Sequence, residues 1–203
     1  EALQQRAFAL NPDRSDAWIG ASVLATLHAA LDPATGDVDG SVQALKQAQR
    51  LDPTNPQITF TIGTIYLQRV EEAYQLLDQE EQIKVAAQQR FTASIAEARR
   101  WFEKTLELQP QDANVPLVLA QLALREGKTK EAIASAEQAI KQGNTSQNLQ
   151  VQLALLYEQE ERYELAMRLY EAVLQNHPRD ASPLARYHLA ELYAASGRLE
   201  EAL

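Results

Sequence analysis

The residues able to do chemistry are few and lie far apart. Three histidines, His28, His177 and His188, share no helical ligand spacing, so a metal site built on them is not expected. His28 and His177 are read as helix-end and turn residues. With no cysteine, disulfides, thiolate metal sites and cysteine nucleophiles are all excluded. No serine stands in a nucleophile-elbow context, and no glycine-rich phosphate loop is present. The adjacent carboxylates Glu71-Glu72, Glu80-Glu81 and Glu160-Glu161 resemble acid/base pairs, but on amphipathic helices such pairs form a solvated face. The stretch Asp37-Val38-Asp39-Gly40 superficially matches a calcium loop. Aligning Gly40 with the sixth loop position puts Thr35 first and Lys46 twelfth, and both fail as ligands. The preferred reading is a turn followed by a capped helix. One local acid/base candidate is left, His188 with Glu191. The chain is read as non-enzymatic, with no metal and no cofactor.

The elements that must position these residues are helices. Of 203 residues, 33 are Ala and 28 are Leu, whereas Val and Ile together supply only 17, too few for a large sheet. Seven Gly and eight Pro provide little punctuation, which favours long helices joined by short turns. The hydrophobic fraction of 45% is enough for a core. No apolar run is long enough to span a bilayer, so membrane insertion by this segment is not expected. Nineteen Lys and Arg against 28 Asp and Glu leave a net charge of −9. A protein that tracks a nucleic-acid backbone needs a basic stripe, so a nucleic-acid partner is not expected either.

Internal repetition sets the organisation. Pro110 and Pro178 lie 68 residues apart, twice 34, and Asn144 marks the midpoint in a turn. Set one above the other, segments 113–144 and 147–178 place Leu119-Ala120 over Leu153-Ala154 and Gly127 over Glu161. Ala132 falls over Ala166, Ala136 over Tyr170 and Ala139 over Val173. Related fragments recur at Trp18, at Gly63 to Tyr66, and at Leu189 to Tyr193 with Gly197 to Ala202. A 34-residue period filled by two helices and two turns resembles the tetratricopeptide repeat, across nearly the whole chain. The resemblance implies an all-α fold, a right-handed α-solenoid of antiparallel helix pairs. Small residues then let the two helices of a repeat approach: Gly63 with Ala98, Ala120 with Ala132, Ala154 with Ala166, Ala190 with Ala202. Trp18, Tyr66, Phe102, Tyr157, Tyr170 and Tyr193 fill the gaps between helices. Ser15-Asp16 and Asp180 to Ser182 are placed to cap the helices that follow.

The phase also assigns boundaries. Residues 1–12 read as the second helix of a truncated repeat, and 15–53 as a repeat with a loop insertion at 32–40. Residues 56–110 form a repeat with a helical insertion at about 70–92. Regular repeats follow at 113–144 and 147–178, then a truncated one at 183–203. From Thr64 to Gln109 there is neither Gly nor Pro. Both helices of that repeat are therefore predicted to lengthen by about three turns and to project by about 17 Å. The tip falls among residues 78–82. The raw ends are those of a piece of a longer array, similar to bacterial ones.

In this family the concave face is lined by the first helix of each repeat. That resemblance assigns a groove to Ile19, Val23, Gln57, Phe60, Thr61, Thr64, Asn114, Leu117, Gln121, Asn148, Val151, Gln152, Leu155, Tyr187, His188 and Glu191. Asp16, Gly20, Val118 and Leu184 hold the remaining positions. None is Lys or Arg, so the family's clamp for a chaperone's C-terminal carboxylate is disfavoured. A neutral groove of amides and aliphatics suits an extended or helical peptide; it also suits bare solvent or a neighbouring segment of the same chain. Trp101 either packs against the lengthened first helix or marks a second contact patch.

Three functions follow from different premises. The first is a non-catalytic protein–protein interaction scaffold holding a peptide, with partner and oligomeric state open. The second is a spacer domain of a larger membrane-associated protein. It rests on a loose similarity to repeat tails of bacterial polytopic proteins of the O-antigen ligase or polymerase type. The third, an enzyme, has only His188 and Glu191 behind it.

Overall fold

The computed structural model describes Ser15, Ile19, Gly20 and residues 38–198. Eight helices follow in order: α1 (Val38–Leu51), α2 (Pro56–Gln75), α3 (Glu81–Leu108), α4 (Asn114–Arg125), α5 (Thr129–Lys141), α6 (Gln147–Gln159), α7 (Tyr163–Asn176) and α8 (Pro183–Ala195). Ser15, Ile19 and Gly20 are helical as well, and no strand occurs among the described residues. The fold is an all-α helical repeat of the solenoid class. The chain divides into two compact units, Glu1–Pro110 and Gln111–Leu203.

The helix ends follow from local chemistry. Pro56 opens α2 at a position that needs no N–H, and the Asn55 side chain accepts the Gln57 N–H at 3.0 Å. Asp112 accepts the amides of Asn114 and Val115 at 2.7 and 3.2 Å, closing the start of α4. Ser182, expected to cap α8, makes no side-chain cap bond. Its backbone N–H instead donates to Gln147 Oε1, and Gln147 Nε2 donates to the Asp180 carbonyl at 3.4 Å. One glutamine of the preceding repeat thus serves the turn. The expected insertion loop at 32–40 also ends early. Val38, Asp39 and Gly40 already belong to α1; residues 32–37 lie outside the described residues.

The first unit is dominated by one long hairpin. α2 has 20 residues and α3 has 28, whereas α4 has 12 and α6 has 13. The extra length falls unequally, about two turns on α2 and about four on α3, rather than three on each. α2 ends at Gln75, capped by Leu76, before the expected tip, and α3 begins at Glu81. Small-residue packing also departs from expectation. A Cβ on Gly63 would meet the Phe102 ring at 2.9–3.0 Å, so the neighbour that requires the glycine is an aromatic ring. Phe60 stands edge-on to the same ring, centroids 5.5 Å apart. Thr105 Oγ1 donates to Thr59 Oγ1 at 2.9 Å inside this hairpin. Trp101 is buried in one cluster with Val42, Leu45, Ile58 and Ile62, which makes it a packing residue.

The second unit is regular. Ala120, Ala132, Ala154 and Ala166 share one buried cluster with Leu153, Met167, Tyr170 and Tyr193; Ala202 lies outside the described residues. Its hairpin turns share one device, an i+5 N–H to carbonyl bond closing the helix end. It runs from Lys128 to Ala123 at 2.8 Å, from Arg162 to Tyr157 at 2.7 Å and from Arg198 to Tyr193 at 2.8 Å. The bond requires a left-handed residue, supplied by Gly127, Gly197 and, at φ 58°, by Glu161.

Candidate functional site

The predicted groove residues divide between the two units. In the first, Gln57 and Thr64 are exposed, and Phe60 and Thr61 are half-buried. The Thr61 and Thr64 hydroxyls donate to the Gln57 and Phe60 carbonyls of their own helix, at 2.7 and 3.0 Å. Phe60 is committed to Phe102. Ile19 is half-buried and packs against the core of α1 and α2. Gly20 is exposed, and Asp16, Val23 and His28 lie outside the described residues.

The second unit brings the predicted residues together. At 100° per residue, Asn114, Leu117, Gln121 and Leu124 form one stripe of α4. Asn148, Leu155 and Glu158 continue it on α6, and Leu184, Tyr187, His188 and Glu191 on α8. Asn114, Gln121, Asn148, Leu184, Tyr187 and Glu191 are exposed, with Leu117, Val118, Gln152, Leu155 and His188 half-buried. Val151 is different. At 5% exposure it belongs to the core, because successive repeats close over its short side chain.

One polar cluster joins α6, α7 and α8. Tyr170, fully buried on α7, donates its hydroxyl to Glu158 Oε1 at 2.5 Å. His188 Nδ1 lies 3.2 Å from the same carboxylate, and its ring stacks on Tyr170 at 5.8 Å. Tyr187 stands edge-on to His188 at 5.5 Å and donates to Glu191 at 2.6 Å. Of the one local acid/base candidate, His188 contacts Glu158, and Glu191 accepts from Tyr187. Burial first, then the hydrogen bond and charge of Glu158, raise the Tyr170 phenol far above its ordinary range. The Glu191 hydrogen bond raises Tyr187. Both tyrosines are thus held as neutral donors. A carboxylate-oriented histidine is half of an acid/base device, but its neighbours are phenols and a second carboxylate, with no hydroxyl nucleophile in the cluster. Among the described residues no group of three or more His, Asp or Glu is placed to hold a metal. His177 sits at the end of α7, 3.9 Å from Asp180.

Glu158 was missed by sequence reasoning, although a signal existed. It follows Leu155 by three residues and so extends the stripe by one turn. A different concavity lies in the long hairpin, a cleft of about 570 Å³ between α2 and α3 lined by Tyr66, Arg69, Glu72, Arg90, Ser94 and Glu97. Its α2 residues lie on the side of the helix away from Phe60 and Thr64.

Family comparison agrees with this architecture. One tetratricopeptide repeat family model matches residues 123–182 and 157–203, and a second matches 86–148. No curated protein matches the chain. Among solved structures, YrrB, described as a TPR protein with an unusual peptide-binding site, has TM-score 0.64 and 18% identity. That match covers 98% of this chain and 87% of YrrB. MamA has TM-score 0.57 and 19% identity, over 84% of this chain and 85% of MamA. An IFIT1 mutant bound to m7Gppp-AAAA has TM-score 0.56 and 17% identity, over 98% of this chain and 55% of that one.

Proposed function

The chain belongs to the tetratricopeptide repeat family, and from that premise we propose that it is a scaffold holding a peptide along α4, α6 and α8. Proteins of this family are generally non-catalytic scaffolds for protein–protein interaction. The observation carrying the finer reading is the Glu158–His188 contact at 3.2 Å, which makes α6 and α8 neighbours on one exposed face. Exposed amides at Asn114, Gln121 and Asn148 can serve ligand backbone groups, while Leu117, Leu155 and Tyr187 accept apolar side chains. The capped-RNA ligand of IFIT1 is not carried over. A polyanion needs cations, and the predicted groove positions contain no Lys or Arg.

Peptides selected from a displayed random library on the 203-residue chain test this. Binding should fall by at least about tenfold in Gln121→Arg and Asn148→Arg, both exposed changes that leave circular dichroism unaltered. Equal binding in both variants would move the site elsewhere.

A further inference from the structure

The face of α4, α6 and α8 is unequal along its length. Its α4 end offers amides and aliphatics. Its α8 end offers an exposed aromatic ring, Tyr187 at 59% exposure, hydrogen-bonded to Glu191 and edge-on to the His188 ring that contacts Glu158. The partners of Glu158 among the described residues are the Tyr170 hydroxyl and the His188 ring; that of Glu191 is the Tyr187 hydroxyl. The hydrogen bonds from the Tyr170 and Tyr187 hydroxyls hold these carboxylates in place without cancelling their charge. On the stripe, the one Lys or Arg of the three helices is Arg125, at the far end in the last turn of α4; α6 has neither residue type. Arg186 lies about 150° around α8 from the stripe, at 100° per residue. An electron-rich ring with one carboxylate on its hydroxyl and a second beside the adjacent His188, on a chain of net charge −9, is complementary to one kind of group, a cation with an apolar stem.

We propose that the Tyr187–Glu191–Glu158 end of this face is a subsite for a lysine or arginine side chain of the bound peptide. This specifies the partner and rests on the peptide-scaffold reading. The cation's methylene stem lies on the Tyr187 ring, and its head group reaches the carboxylates. Glu191 is exposed, and the half-buried Glu158 forms the inner wall. The orientation of the peptide follows: its basic residue lies over α8, and its apolar residues lie over Leu117 and Leu155.

Two probes separate this inference from its premise. The first is N-acetyl-arginine amide, titrated into the whole chain by NMR against its uncharged isostere N-acetyl-citrulline amide. The arginine compound should shift Tyr187 ring signals, and the shift should vanish in Glu191→Gln. Equal shifts from both compounds would overturn the subsite. The second probe is a groove-binding peptide from the library, remade with citrulline or norleucine replacing its basic residue. Affinity should drop about tenfold or more, and Glu191→Gln should shrink that difference to about threefold. Binders without any basic residue, lost in Gln121→Arg yet indifferent to Glu191→Gln and Tyr187→Ala, would overturn the subsite and leave the scaffold reading intact. Arginine-selective shifts with no peptide lost in Gln121→Arg would do the reverse.

Discussion

The long hairpin of the first unit and the regular pairs of the second meet one packing requirement by different chemistry. In α4 to α7, Ala120, Ala132, Ala154 and Ala166 are all buried in one cluster. In α2 and α3, a glycine accepts the edge of a fully buried phenylalanine. The polar partners of the spacer tyrosines differ too. Tyr157 donates to Glu137 at 2.5 Å with Arg162 over its ring at 4.5 Å; Tyr193 donates to Glu171 at 2.6 Å with Arg198 at 4.4 Å. Tyr66 occupies the equivalent place on α2, where the residue equivalent to Glu137 is Lys46. There the ring is met on its face by Lys46 at 6.0 Å and Arg69 at 5.3 Å. The spacing between helices therefore depends on the aromatic body, and the sign of the charge beside it is free to change.

The largest effect should come from the hairpin. Phe102→Ala removes a buried ring and should cost about 3–5 kcal/mol. Gly63→Ala gains about 1 kcal/mol of helix propensity but drives a Cβ into a ring that cannot retreat, at about 1–3 kcal/mol. A lower thermal midpoint for Gly63→Ala, partly restored by adding Phe102→Leu, would establish that the two positions are coupled. If Gly63→Ala raises the midpoint instead, the close approach does not govern this pair.

Much of this contrast was legible in the sequence, and the illegible part has a common cause. The 34-residue phase, the glycine turns and the spacer tyrosines are properties of residues repeated at fixed intervals, which a chain displays openly. That a Cβ on Gly63 would first meet the Phe102 ring, one turn beyond Ala98 on the same face, depends on the axial offset of two unusually long helices. No local pattern carries that offset. At the candidate site, helical spacing identified which residues share a stripe but not which of them the next repeat covers. Val151 was thus assigned to the groove and is core, while Glu158, one turn beyond Leu155, was left out. The Tyr–Glu–Arg sets went unread although Glu137 and Glu171 recur 34 residues apart, because each bond joins different repeats.

An intermediate effect tests the regular side of the comparison. Tyr157 is pushed up to about 12 from 10.0, first by burial, then by the hydrogen bond and charge of Glu137, with Arg162 opposing. The folded state thus holds the phenolic proton more tightly than the unfolded chain. The resulting stability is complete below pH 10 and is lost as pH rises through about 12. Urea midpoints should fall across that window. Tyr157→Phe should flatten the slope and cost about 1 kcal/mol at neutral pH. An unchanged slope would detach this tyrosine from the stability of the unit.

The smallest effect is a gain. Gly127, Glu161 and Gly197 occupy the same place in successive hairpin turns, all with positive φ and all followed by the same i+5 backbone bond. Only Glu161 carries a Cβ there, and its exposed side chain has no hydrogen bond or ion pair among the described residues. Glu161→Gly should therefore stabilise the second unit by about 0.5–1 kcal/mol, after allowing for the greater freedom of glycine in the unfolded chain. Gly127→Ala and Gly197→Ala should each lose at least as much. A loss on Glu161→Gly would mean that the carboxylate contributes something the backbone geometry does not require. The turn of the 147–178 repeat would then differ in kind from its neighbours, and the regularity ascribed to this unit would stop at its helices.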